Sequence, residues 1–295
     1  MRLIEKKANN FGEILKAAKS IANRWYKSPT DPQEIFFRGQ PAANLPLLPG
    51  LYRPENTRFN YIEESLMEHF RNLGTPYIKG DINDQWNIYF LAQHYSLPTR
   101  LLDWTYSLTT AVYFAIEGHI SKLDRSEYDK RLIGSIKMSI FDSKSPVIWM
   151  LDAGSLNNFS CGPNEDYVFT VGGELTKQYL PGNIDKMKND NLYPLAIYPA
   201  SIDYRIIAQK SAFTVHGNDR DAIEDLKIKK NGTKILLAKI IIDRNNLERL
   251  WEELILLGVN RVGLFPSLDS VAFCVKWDGQ NLKSEKTNGQ DKIEE

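Results

Sequence analysis

The chain has 295 residues, 42% of them hydrophobic and 25% charged, and its 37 basic side chains balance 37 acidic ones. That is the composition of an ordinary globular protein of one large domain or two modest ones, with room for a substantial core. A zero net charge argues against a protein devoted to nonspecific nucleic-acid binding, which carries a basic excess, although it leaves room for a local basic groove.

Taken in chain order, MRLIEKKANN lacks the apolar core of a signal peptide, and no later run approaches the ~18 apolar residues of a membrane span. The expectation is a cytoplasmic protein. FGEILKAAKSIANRW (11–25) places Phe11, Ile14, Leu15, Ala18, Ile21, Ala22 and Trp25 on one helical face, with Asn10 as cap. EIFFRG is a short strand broken at Gly39, and the proline-rich stretch from Pro41 to Pro54 is irregular. Residues 60–73 and 83–95 return to helical spacing, SLPTRLLDWT is an irregular link, and 107–120 is helical again with Ser107 as cap.

Strands follow. IGSIKMSIF (133–141) alternates, PVIWML (146–151) is short and apolar, and 152–192 is an excursion with little regular structure. YRIIAQ (204–209) and SAFTVHG (211–217) read as two strands meeting at a tight turn, and KILLAKIIID (234–243) as the clearest strand. NNLERLWEELILLG is a helix stopped at Gly258, and SLDSVAFCVKW is a last one. Helices first and strands later favour an α+β fold. Cys161 and Cys274 form no CxxC pair, so no cysteine-built zinc site is expected and both read as buried free thiols.

Three clusters can carry chemistry. In FFRGQ, Arg38 ends an apolar strand, where a guanidinium can grip a planar or phosphate-bearing ligand, and Gly39 admits close approach to the backbone. A structural arginine paired with a carboxylate fits the same residues. In QHYSLPTRLLDWT, His94 is a general base or a hydrogen-bond donor, and Arg100 and Asp103 can brace each other across one turn. Trp104 needs a partner for its N–H, and Thr105 either faces a ligand or caps the next helix. In RIIAQKSAFTVHG, Arg205 and Gln209 share a strand face and His216 sits near a strand end. No P-loop, GxGxxG, GxSxG, HExxH or EF-hand pattern is present.

These clusters, in this order, resemble the FRG domain family, named for the triplet seen here as Phe37, Arg38 and Gly39. The likeness runs through LPLLPGLYR (45–53), QHYSLPTRLLDWTYSLTTAVYFA (93–115), RIIAQKSAFTVH (205–216) and LGVNRVGLFPSLDS (257–270). A more distant similarity is to ADP-ribosyltransferases, which place an Arg on an early strand, then a hydroxyl-bearing strand leading into a small-residue helix, then a Glu or Gln on a later strand. Arg38, LLDWTYSLTTAVYFA and Gln209 follow that order.

The resemblance implies an α+β fold with N-terminal helices packed on a mixed, ADP-ribosyltransferase-like split sheet. It implies a single FRG-type domain over 1–277, its core at about 34–275, and the polar composition of 278–295 marks a disordered tail. It also implies an enzyme that takes NAD as substrate, with no metal, and transfers ADP-ribose to a protein or nucleic-acid acceptor or hydrolyses it. His94, Asp103 and Gln209 would be catalytic. Arg38, Gly39, Arg100, Thr105 and Arg205 would hold the nucleotide. Gln209 departs from the pattern, because it cannot supply the usual carboxylate, and Asp103 could provide that charge. The family's bacterial setting implies a toxin or anti-phage effector. Two other readings stand beside this one: a metal-independent nuclease with His94 as base, and a module that binds a nucleotide or peptide without turnover.

Overall fold

A computed structural model describes residues 3–27, 34–59, 62–78, 80–120, 140–184, 192–200, 203–226 and 234–276. The fold is α+β, organised by one mixed eight-stranded sheet. Its strands are β1 (Ile4–Ala8), β2 (Ile35–Gln40), β3 (Leu101–Thr105), β4 (Val147–Asp152), β5 (Phe169–Thr170), β6 (Leu195–Tyr198), β7 (Ser211–Val215) and β8 (Leu237–Ile242). They lie in the order β1-β8-β4-β2-β3-β7-β6-β5. The outer pairs β1–β8 and β5–β6 are parallel and all others antiparallel.

The sheet is nearly two sheets. Along all six residues of β2 there is a partner on β4, and along all five of β3 a partner on β7. Between β2 and β3 only Phe37 and Thr105 are in register. Beyond that pair the two strands part, leaving a seam in the middle of the molecule.

Helices cover one face of each half. On the first half these are α1 (Phe11–Trp25) and α4 (Leu108–Ile120), joined by α8 (Leu247–Leu256). Asn10 caps α1 by accepting from the Glu13 N–H, and Ile14, Ala17, Ala18 and Ile21 point inward. Leu15, expected on that face, is exposed, and Ala17 takes the inward place. On the second half lie α2 (Glu63–Gly74) and α3 (Gln85–His94). Trp86, Tyr89 and Phe90 of α3 pack there with Leu101, Leu195, Phe213 and Val215 of the sheet. The opposite face carries a single core of Phe36, Leu102, Trp104, Trp149 and Leu151 with Leu156 and Phe159 of α5 (Ala153–Cys161).

Several expectations need correcting. Leu101–Thr105 is not an irregular link but the central strand β3. Strand β2 is not broken at Gly39 and runs on to Gln40. Residues 152–192 hold α5, which Asp152 caps at the Ser155 N–H, then β5 and the short α6 (Glu174–Lys177). Tyr204–Ala208 is the helix α7, capped by Asp203 at the Arg205 N–H, not a strand. Cys161 is exposed and Cys274 half-buried, where both were expected to be buried. The strand expected at 133–141 and the tail 278–295 lie outside the described residues, save for residues 140 and 141, which are not strand.

The chain closes with α8 (Leu247–Leu256), stopped by Gly258 at φ +76°, then α9 (Arg261–Leu264) and α10 (268–276). Among the described residues no helix is long and apolar enough to cross a membrane.

Candidate functional site

The site sits where the sheet parts. Phe37 and Thr105 stand directly opposite each other and so point to the same face. By alternation Gly39 and Asp103 share that face. It is the helical face, and the two helical layers stop short of each other over the seam. Asp103 is therefore the one exposed residue in an otherwise buried strand. A cavity of about 500 Å³ fills the gap. That volume lies within the range of small-molecule sites, about 300–1,000 Å³.

Arg38, Gly39, His94, Asp103, Thr105, Arg205 and Gln209 all line this cavity. Their local geometry gives them different tasks. Arg38 Nη1 donates to the backbone oxygen of Asp103 at 2.5 Å and lies 3.9 Å from its carboxylate. Its Nε is buried with no partner among the described residues. Burial, with Arg53 nearby and opposed by Asp103, pulls the Arg38 guanidinium down to about 10, so it is still charged at neutral pH.

Asp103 is held by Gln93, whose Nε2 donates to Oδ2 at 2.9 Å, while Gln93 Oε1 accepts from Thr99 Oγ1 at 2.6 Å. His94 Nδ1 lies 3.0 Å from Asp203 Oδ2. Burial and the neighbouring Arg205 push the His94 imidazole below its ordinary value, against the opposing pull of Asp203.

Three of the lining residues act largely as braces. Thr105 Oγ1 donates to the Gln209 carbonyl at 2.7 Å and accepts from the Ser107 N–H at 3.0 Å. Gln209 Nε2 donates to the Leu264 carbonyl at 3.1 Å, tying the end of α7 to α9. At Gly39 a Cβ would meet the Ala111 carbonyl oxygen at 1.9 Å and the Ala115 nitrogen at 2.6 Å. The close approach that this glycine allows is therefore made by α4. Trp104 finds its partner across the ladder, where Nε1 donates to Thr214 Oγ1 at 3.1 Å.

Arg205 and Gln209 do share a face, but on α7 and its C-terminal cap, since residues four apart are neighbours on a helix as well. The Arg205 guanidinium lies 4.8 Å from the centre of the Phe265 ring, which steadies it at the cavity wall.

Arg100 does not belong to the cavity lining. It is fully buried and braces Glu63 of α2, not Asp103: Nε donates to Glu63 Oε2 at 2.7 Å, Nη1 to the His216 carbonyl at 2.7 Å and Nη2 to the Tyr179 carbonyl at 2.5 Å. Tyr89 closes the hub, donating to Glu63 Oε1 at 2.5 Å and accepting from the Arg100 N–H at 2.8 Å. His216 is likewise buried, and both its ring nitrogens lack partners among the described residues.

The structure also brings in residues that sequence reasoning passed over. Arg53 and Asn56 reach the cavity from the irregular segment after β2, and Gln93 from α3. Asp203 had a readable signal, as an Asp ahead of a short apolar run is a helix cap. Arg53 had none.

The wall therefore offers three guanidiniums (Arg38, Arg53 and Arg205) and one carboxylate, Asp103, set among Phe37, Phe90, Phe114 and Phe213. It suits an anion with a flat apolar part. Among the described residues no group of three His, Cys, Asp or Glu is placed to hold a metal ion. Residues 33–124, which contribute β2, α2, α3, β3 and α4, match the model of the FRG domain. No curated protein and no solved structure matches the chain.

Proposed function

We propose that the central seam, where residues 33–124, which match the FRG domain, place Arg38, binds NAD and that the protein cleaves its nicotinamide–ribose bond. The observation that carries this reading is the charge of the cavity: three arginines against one carboxylate, with a buried Arg38 Nε still lacking a partner. A diphosphate supplies the missing acceptors, and the phenylalanine walls suit a flat base.

The chemistry asked of the chain is modest. When the bond from C1′ to the nicotinamide nitrogen breaks, the electron pair leaves with nicotinamide and positive charge develops on the ribose. Asp103 is the carboxylate in the cavity, fixed by Gln93, and it stabilises that charge. An incoming oxygen, from water or from an acceptor hydroxyl, closes the bond to C1′ and releases its proton. Gln209 orients rather than stabilises, since it carries no charge and its Nε2 already donates to the Leu264 carbonyl. A protein that consumes NAD in this way depletes a cell's supply, which is the form a toxin or anti-phage role would take.

The test is to titrate the purified protein with NAD calorimetrically and to follow nicotinamide release, with Asp103→Asn and Arg53→Ala beside the wild type. The expected result is binding that Arg53→Ala weakens about tenfold, and release that Asp103→Asn slows about 100-fold or more while binding persists. No heat of binding at millimolar NAD would overturn the reading. The arginines also favour attack on the phosphates. Release of AMP and nicotinamide mononucleotide instead of nicotinamide would replace glycosidic cleavage with that phosphoryl-transfer reading.

A further inference from the structure

His94 is the last residue of α3, and Asp203 caps α7. The two segments are far apart in sequence and meet at the cavity rim. Both oxygens of Asp203 are engaged: Oδ1 accepts from the Arg205 N–H at 2.8 Å, and Oδ2 lies 3.0 Å from His94 Nδ1. A carboxylate so placed is an acceptor only, so it fixes the imidazole proton on Nδ1. Nε2 is then the nitrogen with the lone pair. The ring is about a quarter exposed, at 24%, and lines the cavity beside Arg205.

We infer that His94 is the base of this site, and that Asp203 is a positioning residue that holds its proton on Nδ1 and leaves Nε2 open to the cavity. The inference rests on the NAD reading only for the identity of the proton donor. In that reaction the attacking oxygen forms its bond to C1′, and its proton passes to Nε2 and then to solvent. The overall balance is NAD⁺ plus water giving ADP-ribose, nicotinamide and a proton, with no oxidant, metal or other reactant.

The charged groups around His94 set its titration. Asp203 and Arg205 come from the α7 end, and Asp103, Arg38 and Arg53 share the cavity wall. Burial and Arg205 lower the imidazole and Asp203 raises it, with a net shift downward. The imidazole is therefore neutral, and able to accept a proton, at pH 7.

Asp203→Asn is the informative variant, because Asn caps a helix as well as Asp does and leaves α7 in place. It removes the charge and the obligatory acceptor. The four histidines of the chain permit nitrogen NMR on histidine-labelled protein, with the His94 signals identified from a His94→Gln sample. In the wild type the expected form is neutral at pH 7 with the proton on Nδ1. In Asp203→Asn the Nε2–H form should gain, and the titration should move to lower pH.

A wild-type His94 protonated on Nε2, or a tautomer and titration unchanged in Asp203→Asn, would overturn the inference. Those outcomes are independent of NAD. If NAD is cleaved, Asp203→Asn should lower kcat about 10- to 100-fold with KM within about twofold, and shift the acid limb of the profile to lower pH. A kcat equal to wild type in His94→Gln would also sink the base role. If NAD is neither bound nor cleaved, the NAD reading fails alone and the tautomer measurement still decides this one.

Discussion

Replacing Arg100 with Met should remove about 4 kcal/mol of stability, and the structure shows where the loss arises. The Arg100 and Glu63 side chains are 2% and 8% exposed and meet at 2.7 Å. Met keeps the bulk but none of the donors. Glu63 would be left as a buried carboxylate with only the Tyr89 hydroxyl, and the His216 and Tyr179 carbonyls would lose their side-chain partner. Breaking a buried pair by removing one partner costs about 3–5 kcal/mol, and each stranded carbonyl adds about 1–3 kcal/mol if it stays dry. A polar cavity of about 70 Å³ lined by Tyr52, Glu63 and Arg100 adjoins the hub, so water can reach the stranded groups and recover part of the loss.

The assay is equilibrium urea unfolding followed by tryptophan fluorescence, since Trp86, Trp104 and Trp149 are buried. With a slope of about 3 kcal/mol per molar urea, the midpoint should fall by roughly 1.3 M. Glu63→Gln with Arg100→Met together should lose less than the sum of the two single changes by about 1–3 kcal/mol, because the stranded charge is gone. Arg100→Lys should fall between, keeping the charge but lacking the fork that reaches both carbonyls. A midpoint for Arg100→Met within about 0.3 M of wild type would refute the account.

Two further predictions concern folding. His216 is fully buried, and burial, opposed by the Asp221 backbone and helped by a smaller push from Arg100, lowers its imidazole from 6.5 to about 3. The unfolded chain therefore takes up a proton that the fold refuses, so stability is unaffected above pH 6.5 and falls as pH drops from there toward 3, by roughly 2 kcal/mol at pH 5. His216→Phe should abolish that part of the acid sensitivity in parallel urea titrations at pH 7 and pH 5; equal losses in both proteins would contradict it. Gly39→Ala drives a methyl into the α4 backbone, and thermal unfolding should show a loss of about 3 kcal/mol or more, whereas a near-wild-type midpoint would mean that α4 does not sit where described.

Much of the scaffold was readable because one face of each helix is wet. α1 and α8 show that spacing, and β8 shows the apolar run of a strand buried on both faces, interrupted only by Lys239. β3 defeated the same reasoning. Its LLDWT lacks an alternating pattern because both faces are covered, except where Asp103 meets the gap between helical layers. Tyr204–Ala208 was misread because Ile206 and Ile207 favour strands, while the Asp203 cap decides for a helix. In the site, Arg38, His94, Asp103, Arg205 and Gln209 were picked from local clusters, and the structure brings them to one cavity. Arg100 could not be sorted from them, because its partner Glu63 lies 37 positions away and only the fold supplies that contact.

The single register pair between β2 and β3 gives Arg38 a second job. Past Phe37 and Thr105 the backbone rungs stop, and the next link across the seam is a guanidinium donating to the Asp103 carbonyl. The side chain acts as a substitute rung, a clasp between two half-sheets. An anion that draws Arg38 toward itself competes with that clasp, so occupancy and the width of the seam are tied to one another. It follows that an Arg38 variant changes the zipper and the lock together. Arg53 faces the same space without bridging the strands and holds only its own segment, through Nε to the Leu48 carbonyl at 3.2 Å, so its removal reports on the ligand without loosening the seam.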